Sequence, residues 1–458
     1  MADSYLSRSF TGTPTMTKYT YSVWLKKTKL GAAQQIAEAR VNSTNLTAIY
    51  FGSNEALNIY QEVSGSVTCG RYTDMRFKDT SSWYHIVIQV DTTLATAADR
   101  VKVWVNGVQQ GLQGTTQTQN LEHNFLKSTA ATELGRAGSN ANYFEGNMTH
   151  IVMVQGSILA PTAFGQVDSG TGQWKFKTVS NVSFGTNGFH LKMENSAALG
   201  TDSSGNNQTF TVNGSLKQSN STPSILYNSL QTYLSGRNFG GNLNVFNANT
   251  TGNETSNGWQ LALSNMGVRK GKWYYEYKIQ VLGQGNGYHK LGFGSSIAGV
   301  DSSVGHLADT ALDGGYAFYC QNGNLEVRTN AAVISGYSTS DLGVSFSVND
   351  IMCLAIDMDN AKAYFRKNDD AWIKSANPVA GTNGLDISAD YPVGNTMKFL
   401  MPGIAIYYGG TGSINFGTGF FGSQPIASAG SNGNGALFEF DVPTGYYAIN
   451  TKNLNTYG

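Results

Sequence analysis

The stretch Asn349-Asp350-Ile351-Met352-Cys353-Leu354-Ala355-Ile356-Asp357, continued through Met358-Asp359-Asn360 into Ala361-Lys362-Ala363-Tyr364-Phe365, decides the fold class. Two apolar runs joined by an Asp-Asn turn read as a β-hairpin. In the first run both alternating sets are apolar: Met352, Leu354, Ile356 and Met358 against Ile351, Cys353 and Ala355. A strand with no polar side has to be covered on both faces, which makes it central in its sheet. The other half of the chain carries a second hairpin. Trp83-Tyr84-His85-Ile86-Val87-Ile88-Gln89-Val90-Asp91 is followed by Arg100-Val101-Lys102-Val103-Trp104-Val105-Asn106-Gly107-Val108. Tyr84, Ile86, Ile88 and Val90 share one face, and Val101, Val103 and Val105 share a face of the partner, the alternation of a sheet with one wetter side. One hairpin in each half predicts two β-sandwiches.

Composition agrees. The chain has 458 residues, room for two or three domains. Charged residues make up 13%, well below the usual share of roughly 25%. Glycine and aromatics are abundant while helix-forming Lys and Glu are scarce, so the reading is all-β. One stretch, residues 31–40, looks helical by propensity, yet its neighbours are strands and residues 35–41 are read as one too.

The charges, 30 basic and 30 acidic, cancel. A neutral chain lacks the electrostatic footprint of a nucleic-acid binder. Its longest basic stretch, Leu25-Lys26-Lys27-Thr28-Lys29, is read as a solvated strand end. No apolar run approaches the ~20 residues that cross a bilayer, and Met1-Ala2-Asp3-Ser4 does not begin a signal peptide. The expectation is synthesis in a cytoplasm, without membrane insertion. Cys69, Cys320 and Cys353 are an odd, dispersed set, so neither a disulfide framework nor a zinc site is expected, and Cys353 is read as a small core residue.

Along the chain, residues 1–165 form the first predicted sandwich and 166–225 a connector with short strands. A second sandwich follows over 226–417, then a Gly/Ser/Asn-rich extension over 418–458. Pro161 suits the first turn of a short helix.

Several pieces resemble known families. Tyr5-Leu6-Ser7-Arg8, Tyr21-Ser22-Val23-Trp24-Leu25-Lys26-Lys27, Trp83-Tyr84-His85-Ile86-Val87, Val103-Trp104-Val105-Asn106-Gly107 and Tyr143-Phe144-Glu145-Gly146 with Ala160-Pro161-Thr162-Ala163-Phe164-Gly165 resemble the laminin-G-like, concanavalin A-type jelly roll. Gly271-Lys272-Trp273-Tyr274-Tyr275-Glu276, Leu291-Gly292-Phe293, Asn349 to Met352, Asp357 to Phe365 and Ile414-Asn415-Phe416-Gly417 resemble a SPRY domain. The order of these parts, with the intervening 199–207 and 210–214 segments and Pro443-Thr444-Gly445-Tyr446, is similar to virion-associated proteins of tailed phages. That resemblance implies a virion protein whose partners are other virion proteins and a host-surface glycan or protein.

Catalytic patterns are missing from the sequence. The Glu-x-Asp-x-Glu array of jelly-roll glycoside hydrolases, which place a carboxylate pair ~5–5.5 Å apart when retaining, is absent. Asp357-x-Asp359 comes nearest, but it sits at a hairpin end, where Asp and Asn build turns. A calcium ion is the alternative there, and no other cofactor is expected. The six histidines are dispersed, and His85 is read as a half-exposed sheet residue. Gly417-Thr418-Gly419-Phe420-Phe421-Gly422 matches a dinucleotide fingerprint literally, but no helix follows it.

The chain is therefore read as a binding protein and not an enzyme. Sandwich folds bind through loops, and loop aromatics offer large apolar area with a polar tip. The candidates are Tyr72, Trp259, Tyr288, Tyr316, Tyr337, Trp372, Tyr391 and Tyr408, while Trp83, Trp104 and Trp273 are read as strand residues. A tail fibre or appendage is the first reading, a head or tail decoration with a docking role the second, and a glycan hydrolase the third. Phage fibres are commonly trimeric, so the resemblance also implies a homotrimer, although no heptad repeat specifies one. Size-exclusion chromatography with light scattering tests this; a monomer mass would remove the trimer.

Overall fold

The computed structural model describes residues 4–230, 243–246, 250–254, 258–283, 288–295, 306–309, 312, 314–321, 324–394 and 396–458. The chain separates into two compact units, residues 1–218 with 222–224, and residues 219–221 with 225–458. Both are β-sandwiches, and among the described residues no helix is long and apolar enough to cross a membrane.

In the first unit an eight-stranded antiparallel sheet runs in the order Leu112–Thr115, Ser66–Arg76, Ala56–Val63, Asn45–Phe51, Gln34–Asn42, Thr132–Leu134, Tyr5–Arg8 and Thr211–Asn213. A six-stranded sheet opposes it in the order Phe189–Leu191, Gly146–Gln155, Lys18–Lys27, Tyr84–Asp91, Val101–Val105 and Val108–Gln109. Tyr19, Tyr21, Val23, Leu25, Ile86, Ile88, Val90 and Val103 point from the second sheet into the shared core. Gln34–Asn42 is a strand despite its helical composition, because its apolar residues Ile36, Ala37 and Ala39 are buried in that core together with Leu134 of the neighbouring strand. Pro161 opens a single 3₁₀ turn, as its fixed φ favours.

Residues 166–218, expected to connect two domains, instead complete the first. Thr211–Asn213 pairs with Tyr5–Arg8 at one sheet edge, and Phe189–Leu191 pairs with Gly146–Gln155 at the other. The two-stranded hairpin Gly165–Val167 and Trp174–Phe176 belongs to the same unit. The wetter side expected of Tyr84–Asp91 is covered: Val87, Val152, Val154 and Phe164 form a second, smaller apolar cluster there. Lys26 and Lys27 are buried as well, contrary to the solvated strand end expected of them. Lys27 ion-pairs with Glu55, its Nζ 4.3 Å from the Phe51 ring centroid. Lys26 is pushed down to about 8 by burial, which the nearby Asp79 carboxylate opposes.

The second unit repeats the plan. One sheet has the order Leu243–Phe246, Thr251–Glu254, Thr411–Asn415, Lys272–Val281, Ile351–Asp357, Lys362–Lys367 and Leu385–Asp386. The other runs Trp259–Leu263, Leu400–Tyr407, Tyr288–Ser295, Tyr316–Gln321, Asn324–Thr329 and Ala332–Val333. Ile351–Asp357 is central and buried at all seven positions. Met352, Leu354 and Ile356 enter the core between the sheets, whereas Ile351, Cys353 and Ala355 enter a separate cluster on the outer face.

That outer cluster is built by the C-terminal extension. Phe421, Phe438, Val442, Tyr446 and Ala448 pack over Tyr274, Ile351, Cys353, Ala355 and Tyr364. Tyr447–Ala448 adds a parallel bridge to Trp273 and Tyr274. The segment over 418–458, poor in charge and rich in turn formers, is thus the lid that a two-sided apolar strand requires.

Glu276 lies beneath this lid on the outward side of Lys272–Val281, fully buried. Its Oε2 accepts the Glu439 N–H at 2.9 Å and Asn415 Nδ2–H at 3.4 Å; Oε1 accepts the Phe440 N–H at 2.9 Å and the Tyr274 hydroxyl at 3.1 Å. Burial raises the carboxyl from 4.5 to about 7, although these donors favour the charged form. A carboxyl raised by folding holds more protons in the native state between those two values, so its contribution to stability falls as pH rises through that window. At about 1.36 kcal/mol per unit, the swing from 4.5 to about 7 is on the order of 3 kcal/mol. In denaturant titrations of the parent and Glu276→Gln, the stability difference between them should shift by that order against the parent from pH 4.5 to 8. A pH-independent difference would refute the shift.

Candidate functional site

Antiparallel residues directly opposite each other point to the same face. In the second unit Trp259 lies opposite Tyr407, and Tyr407 opposite Tyr288, so three rings on three adjacent strands stand in one row on the outside of the six-stranded sheet. The Trp259–Tyr407 and Tyr288–Tyr407 centroids are each 5.4 Å apart. Tyr319 extends the group at 5.6 Å from Trp259, His306 at 5.2 Å from Trp259, and Tyr408 at 5.9 Å from Tyr407. Trp259, Tyr288, Tyr407 and Tyr408 are half-buried, which leaves part of each ring to solvent.

Lys290 sits two residues beyond Tyr288, on the same face and opposite Tyr319. Its Nζ is 4.2 Å from the Trp259 ring centroid and 4.6 Å from that of Tyr319, in cation–π range. Burial pushes the ammonium down to about 7, and Arg328 lowers it further. Beside it, Arg328 Nε donates to Glu326 Oε1 at 2.5 Å. The ledge is therefore an aromatic platform with a buried lysine amine beneath and an ion pair alongside.

Three predicted residues, Trp259, Tyr288 and Tyr408, meet here, and the rest do not. Tyr316 and Tyr391, expected on loops, are core residues. Tyr316 Oη donates to Asp390 Oδ2 at 2.8 Å, and Tyr391 Oη donates to the Gly314 carbonyl at 2.9 Å. The outward residue of that strand is Tyr319, which period-two alternation against the buried Phe318 would have picked out. Tyr337 packs half-buried on Phe365 under Lys374. Trp372 lies beneath the Arg366 guanidinium, 5.0 Å away. Tyr72, 36% exposed, stands by itself on the first unit, against Gly114 of the edge strand.

The Asp357 and Asp359 carboxylates build the hairpin. Asp357 Oδ1 accepts the Asp359 and Asn360 N–H groups at 3.1 Å each, and Oδ2 accepts Asn360 Nδ2–H at 2.9 Å and pairs with Lys272 at 2.9 Å. Asp359 Oδ1 accepts the Gly271 N–H at 2.8 Å. Calcium at Asp357 would have to displace Lys272 and open the turn. Among the described residues no three ligating side chains cluster. Glu276, raised to about 7 by burial, lies fully buried beneath the C-terminal segment.

His85 is buried, not half-exposed, between Trp24 and Trp174, with ring centroids at 4.6 and 5.9 Å. Indole N–H only donates, so the 2.9 Å bond from Trp174 Nε1 leaves His85 Nδ1 unprotonated, and Nε2–H donates to Ser22 Oγ at 2.9 Å. Burial pushes His85 down to about 3. His150 Nδ1 and His190 Nε2 lie 3.2 Å apart, a pair that sequence spacing concealed.

Residues 2–163 match the laminin-G family model of the concanavalin A-like lectin/glucanases superfamily. No curated protein matches the sequence significantly. Among solved structures, the SPRY domain of human HERC1 is similar at 17% identity, covering 41% of this chain and 96% of that one, with a TM-score of 0.29. Domain 4 of AbnA, an arabinanase of Geobacillus stearothermophilus solved with arabinotriose, is similar at 19% identity, covering 32% of this chain and 65% of that one, with a TM-score of 0.25. The Ruminococcus gnavus sialidase CBM40, bound to α2,3 sialyllactose, is similar at 14% identity, covering 32% of this chain and 80% of that one, with a TM-score of 0.25.

A histidine depressed by folding contributes stability above its ordinary value of 6.5, and loses that contribution as pH falls toward about 3. Imidazole ¹⁵N spectra at pH 5 should therefore show His85 neutral with the proton on Nε2; titration near 6.5 would contradict the buried tautomer.

Proposed function

We propose that this chain is a non-catalytic glycan-binding protein of a phage tail fibre or appendage, and that the Trp259/Tyr288/Tyr407/Tyr408 ledge is its sugar seat. The ledge carries the reading. Sugar rings present apolar C–H faces edged by hydroxyls, and half-exposed indole and phenol rings offer matching apolar area with polar tips. Three of these rings, Trp259, Tyr288 and Tyr407, stand on sheet positions and are preorganised, so little entropy is lost when a ligand settles on them. Zero net charge disfavours a nucleic-acid ligand, whose backbone demands a basic surface.

The lectin/glucanase family match over residues 2–163 supports a carbohydrate-related module in the same chain. The non-catalytic part of the reading draws support from the buried carboxylates: Glu276 and Asp357 are occupied in holding a lid and a turn. The virion part draws on the similarity in domain order described above. Binding to host cells and to a glycan array should fall about tenfold or more in Trp259→Ala and Tyr288→Ala, a loss of roughly 1.4 kcal/mol, and stay unchanged in Trp372→Ala. Equal binding by all three variants would sink the ledge, and immunogold labelling that misses the tails of intact particles would sink the appendage.

A further inference from the structure

Away from the ledge, the second unit holds a half-open cavity of about 650 Å³, whose walls include Arg269, Lys270, Met358, Val393, Phe399 and Leu454. That is within the roughly 300–1,000 Å³ typical of pockets for single small ligands. Its wall includes apolar residues that are open to solvent: Val393 is 65% exposed and Phe399 40%. Large apolar groups gathered on an exposed rim mark a contact surface more often than chance scatter does.

The charged side chains of the wall are Arg269, Lys270 and Asp359, and Gly458, the last residue of the sequence, lies in the wall as well. Arg269 lies 4.7 Å from the Phe399 ring centroid and donates from Nη1 to the Thr396 carbonyl at 2.9 Å, which ties the rim loop to the wall. Lys270 is exposed, and among the described residues neither it nor Arg269 has a carboxylate partner. The main chain under Lys270 is fixed: its carbonyl accepts Trp273 Nε1–H at 2.8 Å, and the next N–H, from Gly271, goes to Asp359 Oδ1 at 2.8 Å. Gly271 holds a left-handed φ of +83° there, and a Cβ would come within 2.5 Å of the Tyr457 carbonyl. Asp359, the wall's acidic side chain, is thus engaged with the backbone. The pocket offers a rigid apolar floor with two cations at its lip.

We propose that this cavity binds an organic anion with an apolar body, the headgroup held by Lys270 and Arg269 and the body lying on Met358, Val393 and Phe399. Such a ligand would remove apolar wall from water and would give both cations an anionic partner. The site is separate from the proposed sugar seat and does not depend on it.

The intact chain is titrated with 8-anilinonaphthalene-1-sulfonate, followed by displacement with octanoate, octyl phosphate and octanol. The proposal expects one saturable site, emptied by both anions and about tenfold less well by octanol. Lys270→Glu and Val393→Asp should each weaken binding about tenfold, a loss of roughly 1.4 kcal/mol, with near-ultraviolet dichroism unchanged. Trp259→Ala should bind the dye like the parent. Displacement by octanol as effective as by octanoate, parent-like binding in both cavity variants, or loss of the dye in Trp259→Ala would each overturn it.

Discussion

Covering both faces of Ile351–Asp357 is the constraint around which the second unit is organised. The strand buries all seven residues, one set between the sheets and the other outward. An apolar outward face costs stability unless something covers it. The chain supplies that cover from its own C-terminal segment, where Phe438, Val442 and Tyr446 close over Cys353 and Ala355. Main-chain groups carried under a lid also need partners, and Glu276 provides two of them at Glu439 and Phe440. The same carboxylate that clamps the lid becomes titratable near neutrality because the lid dries it.

The first unit meets a related demand with different residues. Its six-stranded sheet turns Ser22, Trp24 and His85 outward, and the segment bearing Trp174 and Phe176 lies over them. Polar groups buried in this way need hydrogen bonds, and the Trp174–His85–Ser22 chain supplies them with one defined tautomer. Both units therefore close an outer sheet face with chain that follows the main strands. Composition alone makes such segments look like linkers, because they are rich in glycine and polar residues.

What stays open is the part that can act. On the second unit, alternation sends Trp259, Tyr288 and Tyr407 outward together, since opposite positions in paired strands share a face. Lys290 is drawn into the same cluster, where ring quadrupoles compensate part of its lost hydration. Two surfaces of unlike chemistry result in one unit: an aromatic platform, and a cavity with an apolar floor and cationic lip.

Much of this was legible in the residues. Period-two alternation carried the hairpins, the all-β class and the two-sided burial of Ile351–Asp357, because strand periodicity is a local property of the chain. The sequence singles out three ledge residues among eight aromatics but not Tyr319 or Tyr407, and its loop reading of Tyr316 and Tyr391 fails because both lie in the core. His85 and Lys27 are drier than alternation implies, since a single strand does not reveal what later covers it. Local pattern is enough to establish which side chains alternate and hence that two sandwiches form. Only the tertiary structure decided which outer faces are lidded and which rings gather, because registers between strands far apart in the chain are set by packing and not by local pattern.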